Sequence, residues 1–262
     1  MTDIKKNDKK IIVIKTGGKA ASEKSAMIAL FKEMKELKNR YNFVFIHGGG
    51  AEVTRVSKIF GLEPVFKDGI RLTTPKEMEV VDMVLSGRMN KEIVRLANSC
   101  GIASVGLSGS DAMLFTGRQA AEKSLTGKIT NVKPFLLSLL LKNEYLPVIS
   151  STSMTADGTA LNINADEAAL EIASAIMADK LFFISDIPGV MKEGAVINIL
   201  TKKTAEEEMA SGVISGGMIP KVKSSIAALE KGVSAIIIGE YLKSGDLLAT
   251  LDAKNGTSII LG

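Results

Sequence analysis

Two short apolar runs in this chain end in clusters of glycine. The first, Ile11–Lys15, leads into Gly17 and Gly18, and the second, Phe43–His47, leads into the triplet Gly48–Gly50. Runs of β-branched and aromatic residues of this length predict buried strands. Because glycine has no Cβ, its backbone N–H groups can approach an anion closely. Together with lysines elsewhere in the chain, the two junctions predict a site built around phosphate.

Strand-like and helix-like segments alternate along the 262 residues. Further strands are predicted at Ala103–Leu107, Leu146–Ser150, Leu181–Ser185, Ala235–Ile238 and Ser258–Leu261. Apolar residues spaced by three and four predict helices around Met27–Leu37, Val53–Phe60, Pro75–Ala97, Pro134–Leu141, Ala165–Met177, Thr204–Met209 and Met218–Lys231. The alternation predicts an α/β fold with an open, mostly parallel sheet between helices on both faces. Ligands of such sheets bind beyond the carboxyl ends of the strands, where both glycine clusters lie.

The stretch from Asp111 to Lys133 interrupts this alternation. Its short β-like pieces, Met113–Phe115 and Lys128–Thr130, are separated by polar residues and glycine. They predict a small hairpin insertion near the site. We expect a boundary between two lobes near Ala178, which divides the chain into residues 1–178 and 179–262.

Composition excludes several classes of function. The net charge is only +4, the lysines are scattered, and tryptophan is absent, so no stacking platform for nucleic acid is predicted. Cys100 is the only cysteine and cannot form an internal disulfide, which favours a reducing compartment. The polar start Met1–Lys10 is unlike a signal peptide, and no apolar run reaches the length of a membrane span. We therefore expect a cytoplasmic protein with neither nucleic-acid nor membrane partners.

The common catalytic motifs are missing. The chain has no G-x-x-x-x-G-K-[ST] loop, no G-x-G-x-x-G fingerprint and no G-x-S-x-G elbow. One histidine and one cysteine cannot build a His/Cys zinc site, and no protein-held metal is predicted. His47, the only histidine, has two open interpretations, and packing at the end of a strand is preferred over catalysis.

Four segments carry residues that can bind anions or polar substrates, and three of them contain Lys15, Asn162–Asp166 and Lys221. Lys15 is either an exposed strand end or a cation aimed at a transferring phosphate. In the segment Asn162–Asp166, Asn164 suits a helix N-cap, but capping does not explain Asn162. In the alternative interpretation, both asparagine amides bind a polar substrate and Asp166 fixes nearby lysines. Lys221 follows the glycine pair 216–217 in the first turn of a helix, where a cation is disfavoured unless an anion is bound.

The fourth segment is the predicted turn Asp68–Gly69, which is followed by Arg71. It is either a surface residue or a fork for a substrate carboxylate.

Taken in order, these segments resemble the motifs of the amino acid kinase family. The similarity extends from Lys15 to about Lys231. The matching segments are Lys15–Gly18, His47–Gly50, Asp68–Arg71, Met89–Glu92, Val105–Gly109, Asn162–Asp166 and Gly217–Lys221. Each is short, and their specificity comes from the ordered set.

The resemblance implies an open sheet of about eight strands in two lobes. The lobe 1–178 would bind the amino acid and form a homodimer, and the lobe 179–262 would bind ATP. The implied reaction transfers the γ-phosphoryl group of ATP to the γ-carboxylate of N-acetyl-L-glutamate, giving N-acetyl-L-glutamyl 5-phosphate in arginine biosynthesis. Mg²⁺ would be held mainly by the ATP phosphates and water.

The resemblance also implies roles for individual residues. Lys15, Lys221 and Asp166 would be catalytic, with Asp166 organising the two lysines. The substrate would be held by Gly49, Gly50, Arg71, Asn162 and Asn164. The nucleotide would be held by Lys15, Gly17, Gly18, Asp186, Gly217 and Lys221. A γ-carboxylate is already ionised at pH 7, so no general base is needed, and positive charge between two anionic reactants is the main requirement.

The sequence departs from the family pattern in places. Ala51 stands where many relatives carry proline, the region 187–199 is short, and 239–252 does not match, which leaves the adenine contacts open. The short polar head before Ile11 leads us to expect a dimer that arginine does not inhibit. Two alternatives stay open: a sibling kinase acting on another carboxylate, such as a carrier-bound aminoadipate or glutamate, and a non-catalytic binding or storage protein of the same fold.

Overall fold

The computed structural model describes residues 9–17, 23–67 and 70–262. The α-helices within these ranges are α1 Lys24–Leu37, α2 Gly50–Ile59, α3 Pro75–Val81, α4 Asn90–Ser99, α5 Phe135–Lys142, α6 Ala165–Ala175, α7 Lys202–Ala210, α8 Met218–Glu230 and α9 Asp246–Leu251. The strands are β1 Lys10–Thr16, β2 Tyr41–His47, β3 Val65–Lys67, β4 Ile70–Leu72, β5 Ser104–Leu107, β6 Phe115–Gln119, β7 Thr126–Val132, β8 Leu146–Ser150, β9 Thr152–Met154, β10 Ala160–Ile163, β11 Lys180–Ile184, β12 Met191–Lys192, β13 Ala195–Val196, β14 Ile199–Thr201, β15 Ala235–Gly239 and β16 Thr257–Ile260.

The central sheet has eight strands in the order β14-β16-β15-β11-β1-β2-β8-β5. Its strands pair in parallel except for β15 with β16. The predicted α/β class with a largely parallel sheet of about eight strands is therefore confirmed. In the parallel register of β1 and β2, Thr16 lies beside His47, so both glycine clusters leave the sheet at neighbouring positions.

Strand alternation divides the core between the two faces of the sheet. Val13 packs in one cluster, which includes apolar residues of α6 and α8, and Ile12 and Ile14 pack in the other, which includes residues of α1 and α4. Successive strand residues point to opposite faces, and this periodicity determines which helices Lys15 and Thr16 can meet. The predicted lobe boundary falls between α6 and β11, but β11 pairs directly with β1, so the sheet runs continuously across it.

The predicted hairpin insertion is present. The strands β6 and β7 pair antiparallel, and with β9 and β10 they form a small sheet that closes on itself. The strand is shifted from the predicted Met113–Phe115, because Asp111–Met113 forms a 3₁₀ turn and the extended segment begins only at Phe115. The strands β9 and β10 were not predicted, since runs of three and four residues are too short to show a period.

The helix predicted at Pro75 begins there, and its start is well defined. Thr74 and Glu77 form a reciprocal capping box, with Pro75 at the first helical position. The predicted helical stripe then continues, but the segment Asp82–Met89 is wound as a π-helix before α4 begins. Such π-helical segments occur frequently at functional sites. This one packs against the second glycine cluster, as described below.

A buried carboxylate ties the last helix to the first. Glu33 on α1 is 4% exposed, and it accepts hydrogen bonds from the Tyr241 hydroxyl and from the backbone N–H groups of Gly245 and Leu248. A carboxylate with several donors at a helix N-terminus satisfies N–H groups that have no partner within the helix. The sequence gives no sign of this contact, because the two segments lie more than two hundred residues apart.

Within the described ranges, no helix is long and apolar enough to cross a membrane. The longest, α1, has 14 residues. At the α-helical rise it spans about 21 Å, which is shorter than the hydrocarbon core of a bilayer.

Candidate active site

Two lysines from distant parts of the chain meet on one carboxylate. The Nζ atom of Lys15, near the end of β1, lies 2.6 Å from Oδ1 of Asp166, and the Nζ atom of Lys221, in the first turn of α8, lies 3.3 Å from Oδ2 of the same residue. Asp166 is in the first turn of α6. The structure therefore brings together the three residues predicted to carry the chemistry.

The charge of this trio is positive overall. Burial raises the pKa of the Asp166 carboxyl, but the two ammonium groups outweigh burial and hold that pKa below its usual range. Asp166 is thus ionised at neutral pH, and two cations remain on one anion. Lys221 also lies over the ring of Phe183, with its Nζ atom 5.0 Å from the ring centroid. This cation–π contact and the ion pair fix the ammonium group from two sides.

Two of the three glycines in the second cluster, Gly48 and Gly49, lie close to neighbouring side chains, whereas the space beside Gly50 is open. A Cβ atom on Gly49 would lie 2.4 Å from the sulfur of Met89 in the π-helical segment, and one on Gly48 would lie 3.3 Å from the Cβ atom of Ala165. The N–H of Gly48 donates to the carbonyl of Thr16 at 3.3 Å. Gly48 and Gly49 therefore lie between the first strand, the start of α6 and the π-helical segment, and the contacting Ala165 precedes Asp166 in the chain.

His47 is buried among polar partners and does not face the trio. It is fully buried, its Nδ1 atom lies 3.0 Å from the carbonyl of Gly48, and its Nε2 atom lies 3.2 Å from the side-chain nitrogen of Asn90. Burial lowers the pKa of His47 to about 4. A neutral ring that donates from Nδ1 and accepts at Nε2 satisfies both contacts, which agrees with the preferred interpretation of a packed side chain.

Arg71 lies against the second glycine cluster. Its Nη2 atom donates to the carbonyl of Gly50 at 3.2 Å and to the hydroxyl of Thr54 at 2.5 Å. Burial lowers the pKa of Arg71, and the nearby carboxylate of Glu77 partly offsets this effect. Of the two open interpretations, a surface position is wrong, because Arg71 is only 8% exposed.

The two predicted asparagines have different surroundings. Asn162, on β10, donates from its side chain to the hydroxyl of Thr73 at 2.9 Å, two residues from Arg71. Asn164 caps α6, with its Oδ1 atom accepting from the N–H groups of Asp166 and Glu167. The cap orients the first turn that carries Asp166. Contact of either asparagine with a substrate stays a prediction.

The predicted nucleotide residues are only partly near the trio. Gly17 adjoins Lys15, and a Cβ atom on it would lie 3.9 Å from the Lys15 Nζ atom. Gly217 precedes α8 and is exposed. Gly18 lies outside the described residues. Asp186 lines a cavity of about 530 Å³ with Thr16, on the face of the sheet opposite Lys15. Its role at the nucleotide stays a prediction.

Sequence reasoning missed several partners of the predicted residues. Thr54 and Glu77 surround Arg71, and Asn90 holds His47. The pattern Thr74-x-x-Glu77 was readable as a capping box, but it gives no sign that Glu77 also faces Arg71. In the described part of the chain, no three His, Cys, Asp or Glu side chains converge in a way that could hold a metal ion.

Comparison with known proteins agrees with this architecture. The model of the amino acid kinase family matches residues 10–239, so this chain belongs to the amino acid kinase family. It is 37% identical over 262 residues to the acetylglutamate kinase of Kosmotoga olearia, covering 98% of this chain and 93% of that protein. It is 39% identical over 257 residues to the acetylglutamate kinase of Prochlorococcus marinus subsp. pastoris, covering 95% and 90%.

Solved structures with the same fold include smu.665 from Streptococcus mutans, at 26% identity and a TM-score of 0.81, covering 96% of this chain and 99% of that one. The N-acetylglutamate synthase of Neisseria gonorrhoeae, complexed with coenzyme A and N-acetyl-glutamate, has a TM-score of 0.83 at 20% identity; the match covers 99% of this chain and 61% of that one. The latter likeness concerns the fold alone.

The buried position of His47 predicts an unusual titration. We expect the single imidazole resonance in an NMR titration to show no protonation between pH 8 and 5, because the pKa is about 4. The unfolded chain takes up this proton first, near pH 6.5, so the free energy of unfolding falls as the pH is lowered from 6.5 toward 4. A midpoint near 6.5 in the folded protein would contradict the buried, neutral state.

Proposed function

We propose that this chain is an acetylglutamate kinase, which transfers the γ-phosphoryl group of ATP to the γ-carboxylate of N-acetyl-L-glutamate. The observation that carries the proposal is the pair of ammonium groups on Asp166, next to two glycine turns at the carboxyl edge of the sheet. Relatives of nearly the same length with this activity in their names support the choice of substrate. The product is N-acetyl-L-glutamyl 5-phosphate, an intermediate of arginine biosynthesis.

The chemistry requires positive charge more than proton transfer. The attacking γ-carboxylate is ionised at neutral pH, and the phosphate it attacks is also an anion. Lys15 and Lys221 reduce the repulsion between them and stabilise the charge that spreads over the transferring group. Asp166 keeps the two ammonium groups at a fixed separation and limits their net charge. His47 has no part in the transfer, because its ring is buried and both of its nitrogens are already bonded.

The amino-acid end of the substrate is assigned to the second glycine cluster and its neighbours. The N–H groups of Gly49 and Gly50, the guanidinium of Arg71 and the amide of Asn162 are the polar groups that this region offers. Arg71 supplies the positive charge that a second substrate carboxylate needs. Asn164 lies next to Asp166 and is assigned to the same end of the substrate.

The nucleotide is assigned to the C-terminal lobe, residues 179–262, and the amino acid to residues 1–178. Lys15, Gly17, Gly18, Gly217 and Lys221 are assigned to the phosphates, and Asp186 to the rest of the nucleotide. Mg²⁺ fits a position on the ATP phosphates and water, since Asp166 is already paired with two lysines. Bound there, it would withdraw negative charge from the phosphates.

We further propose that the enzyme works as a homodimer in the cytoplasm. The strand β5 forms one edge of the sheet, and α5 packs on its neighbour β8 while exposing Phe135 at 65% and Leu139 at 47%. A second copy could cover both the open edge and these apolar side chains. Sedimentation velocity at assay concentration should give a dimer, and a monomer would contradict the assignment.

The direct test is formation of the acyl phosphate. Purified protein incubated with ATP, Mg²⁺ and N-acetyl-L-glutamate should yield a hydroxamate when hydroxylamine is present, because hydroxylamine traps acyl phosphates. Glutamate, aspartate and carbamate serve as parallel substrates. Preference for one of them over N-acetyl-L-glutamate would indicate a sibling kinase. ATP binding without product on any carboxylate would indicate a non-catalytic protein.

Removing either lysine should slow the reaction strongly. We expect Lys15→Ala and Lys221→Ala each to lower turnover by a factor of about 10² or more, as loss of transition-state charge stabilisation does. Lys223→Ala is the matched control, because Lys223 is an exposed lysine on the same helix. Near-normal turnover in both test variants would reject the assigned roles.

A further inference from the structure

The Arg71 side chain is oriented by contacts within the protein. This side chain is 8% exposed, and its guanidinium lies over the ring of Phe66, with 4.7 Å between the central carbon and the ring centroid. Phe66 is its cross-strand neighbour in the hairpin of β3 and β4. Only a narrow edge of the guanidinium can therefore meet a ligand, and small changes in its orientation matter.

Thr54 fixes one nitrogen of this guanidinium. Its hydroxyl donates to the carbonyl of Gly50 at 2.9 Å, which directs a lone pair of the hydroxyl oxygen toward the Nη2 atom of Arg71 at 2.5 Å. Nη2 also donates to the carbonyl of Gly50 at 3.2 Å. The three groups form a closed triangle at the start of α2, beside the glycine cluster assigned to the substrate.

The other nitrogen of the guanidinium keeps an unused donor. Nη1 lies 3.8 Å from Oε1 of Glu77, and within the described part of the chain neither buried atom has a hydrogen-bond partner. Oε2 of Glu77 is occupied by the backbone N–H of Thr74. Glu77 thus places a carboxylate beside Arg71 but leaves the Nη1 atom without a hydrogen-bond partner.

Because the guanidinium is planar, fixing Nη2 and the stacked face fixes the direction in which the remaining N–H groups point. Since charged hydrogen bonds depend steeply on geometry, the position of this plane determines how well Arg71 meets a carboxylate. The residue that fixes it is Thr54, which need not touch the substrate.

We propose that Thr54 is a positioning residue for Arg71 and thereby sets the affinity of this enzyme for the carboxylate of its amino-acid substrate. The inference rests on the proposed function, because the carboxylate in question belongs to N-acetyl-L-glutamate. The proposal assigns the effect of Thr54 to its contact with Arg71, so that effect appears in substrate affinity and not in the phosphoryl-transfer step.

The test compares Thr54→Val, which removes the hydroxyl at nearly constant volume, with Thr54→Ser, which keeps it. In the hydroxamate assay, Thr54→Val should raise the KM for N-acetyl-L-glutamate about tenfold, as loss of one hydrogen bond to a charged group does. The kcat and the KM for ATP should stay within about twofold of the parent, because the lysines are untouched. Thr54→Ser should restore the parental KM.

A double-mutant cycle with Arg71→Ala separates positioning from a general structural effect. If Thr54 acts through Arg71, adding Thr54→Val to Arg71→Ala should change the KM little further. Thermal unfolding of each variant shows whether the fold persists. An unchanged KM in Thr54→Val, a KM that serine does not restore, or an additive effect in the cycle would overturn the inference while leaving the proposed function intact. A parent protein that forms no acyl phosphate would reject both.

Discussion

The ion pairs of Asp166 are the interaction on which the rest of the site depends. Two ammonium groups within reach of one carboxylate would repel each other if the carboxylate were absent, and they would drift apart into solvent. Asp166 holds them together because its own pKa stays low and because Asn164 caps the turn on which it sits. A net positive group is thereby fixed at the carboxyl edge of the sheet, where the proposed reaction would bring two anionic reactants together.

The trio forms on one face of the sheet because of the side-chain alternation along β1. Lys15 points toward the face covered by α6 and α8, which carry Asp166 and Lys221, and its neighbour Thr16 points toward the opposite face. A shift of β1 by one residue would exchange the faces toward which Lys15 and Thr16 point, and Lys15 could no longer reach Asp166. The parallel register of β1 with β2 then places Thr16 beside His47, so Gly17 and Gly48, which follow them, leave the sheet at neighbouring positions.

The region around Arg71, which we propose for the amino-acid substrate, is built differently. It depends on the contact of a short hairpin with the start of α2, in which Arg71 bonds to Gly50 and Thr54. No periodic pattern predicts such a contact, since β3 and β4 are three residues each and the partners belong to separate elements. The sequence does not predict three other features for the same reason: the burial of Arg71, the π-helical segment and the capping of a distant helix by Glu33. Each results from packing between separate segments, which produces no regular pattern in composition or residue spacing.

By itself the sequence determined the fold class, the order of the main strands and helices, and the residue types that a phosphate-binding site requires. Hydrophobic periodicity and glycine placement are local properties, and local properties can be read along a chain. Only the tertiary structure decided that Lys15 and Lys221 share one carboxylate, that His47 is a buried neutral side chain, and that Arg71 is enclosed by Thr54, Glu77 and Phe66. These facts depend on distances between residues far apart in the chain, and such distances exist only once the sheet has paired and the helices have packed on it.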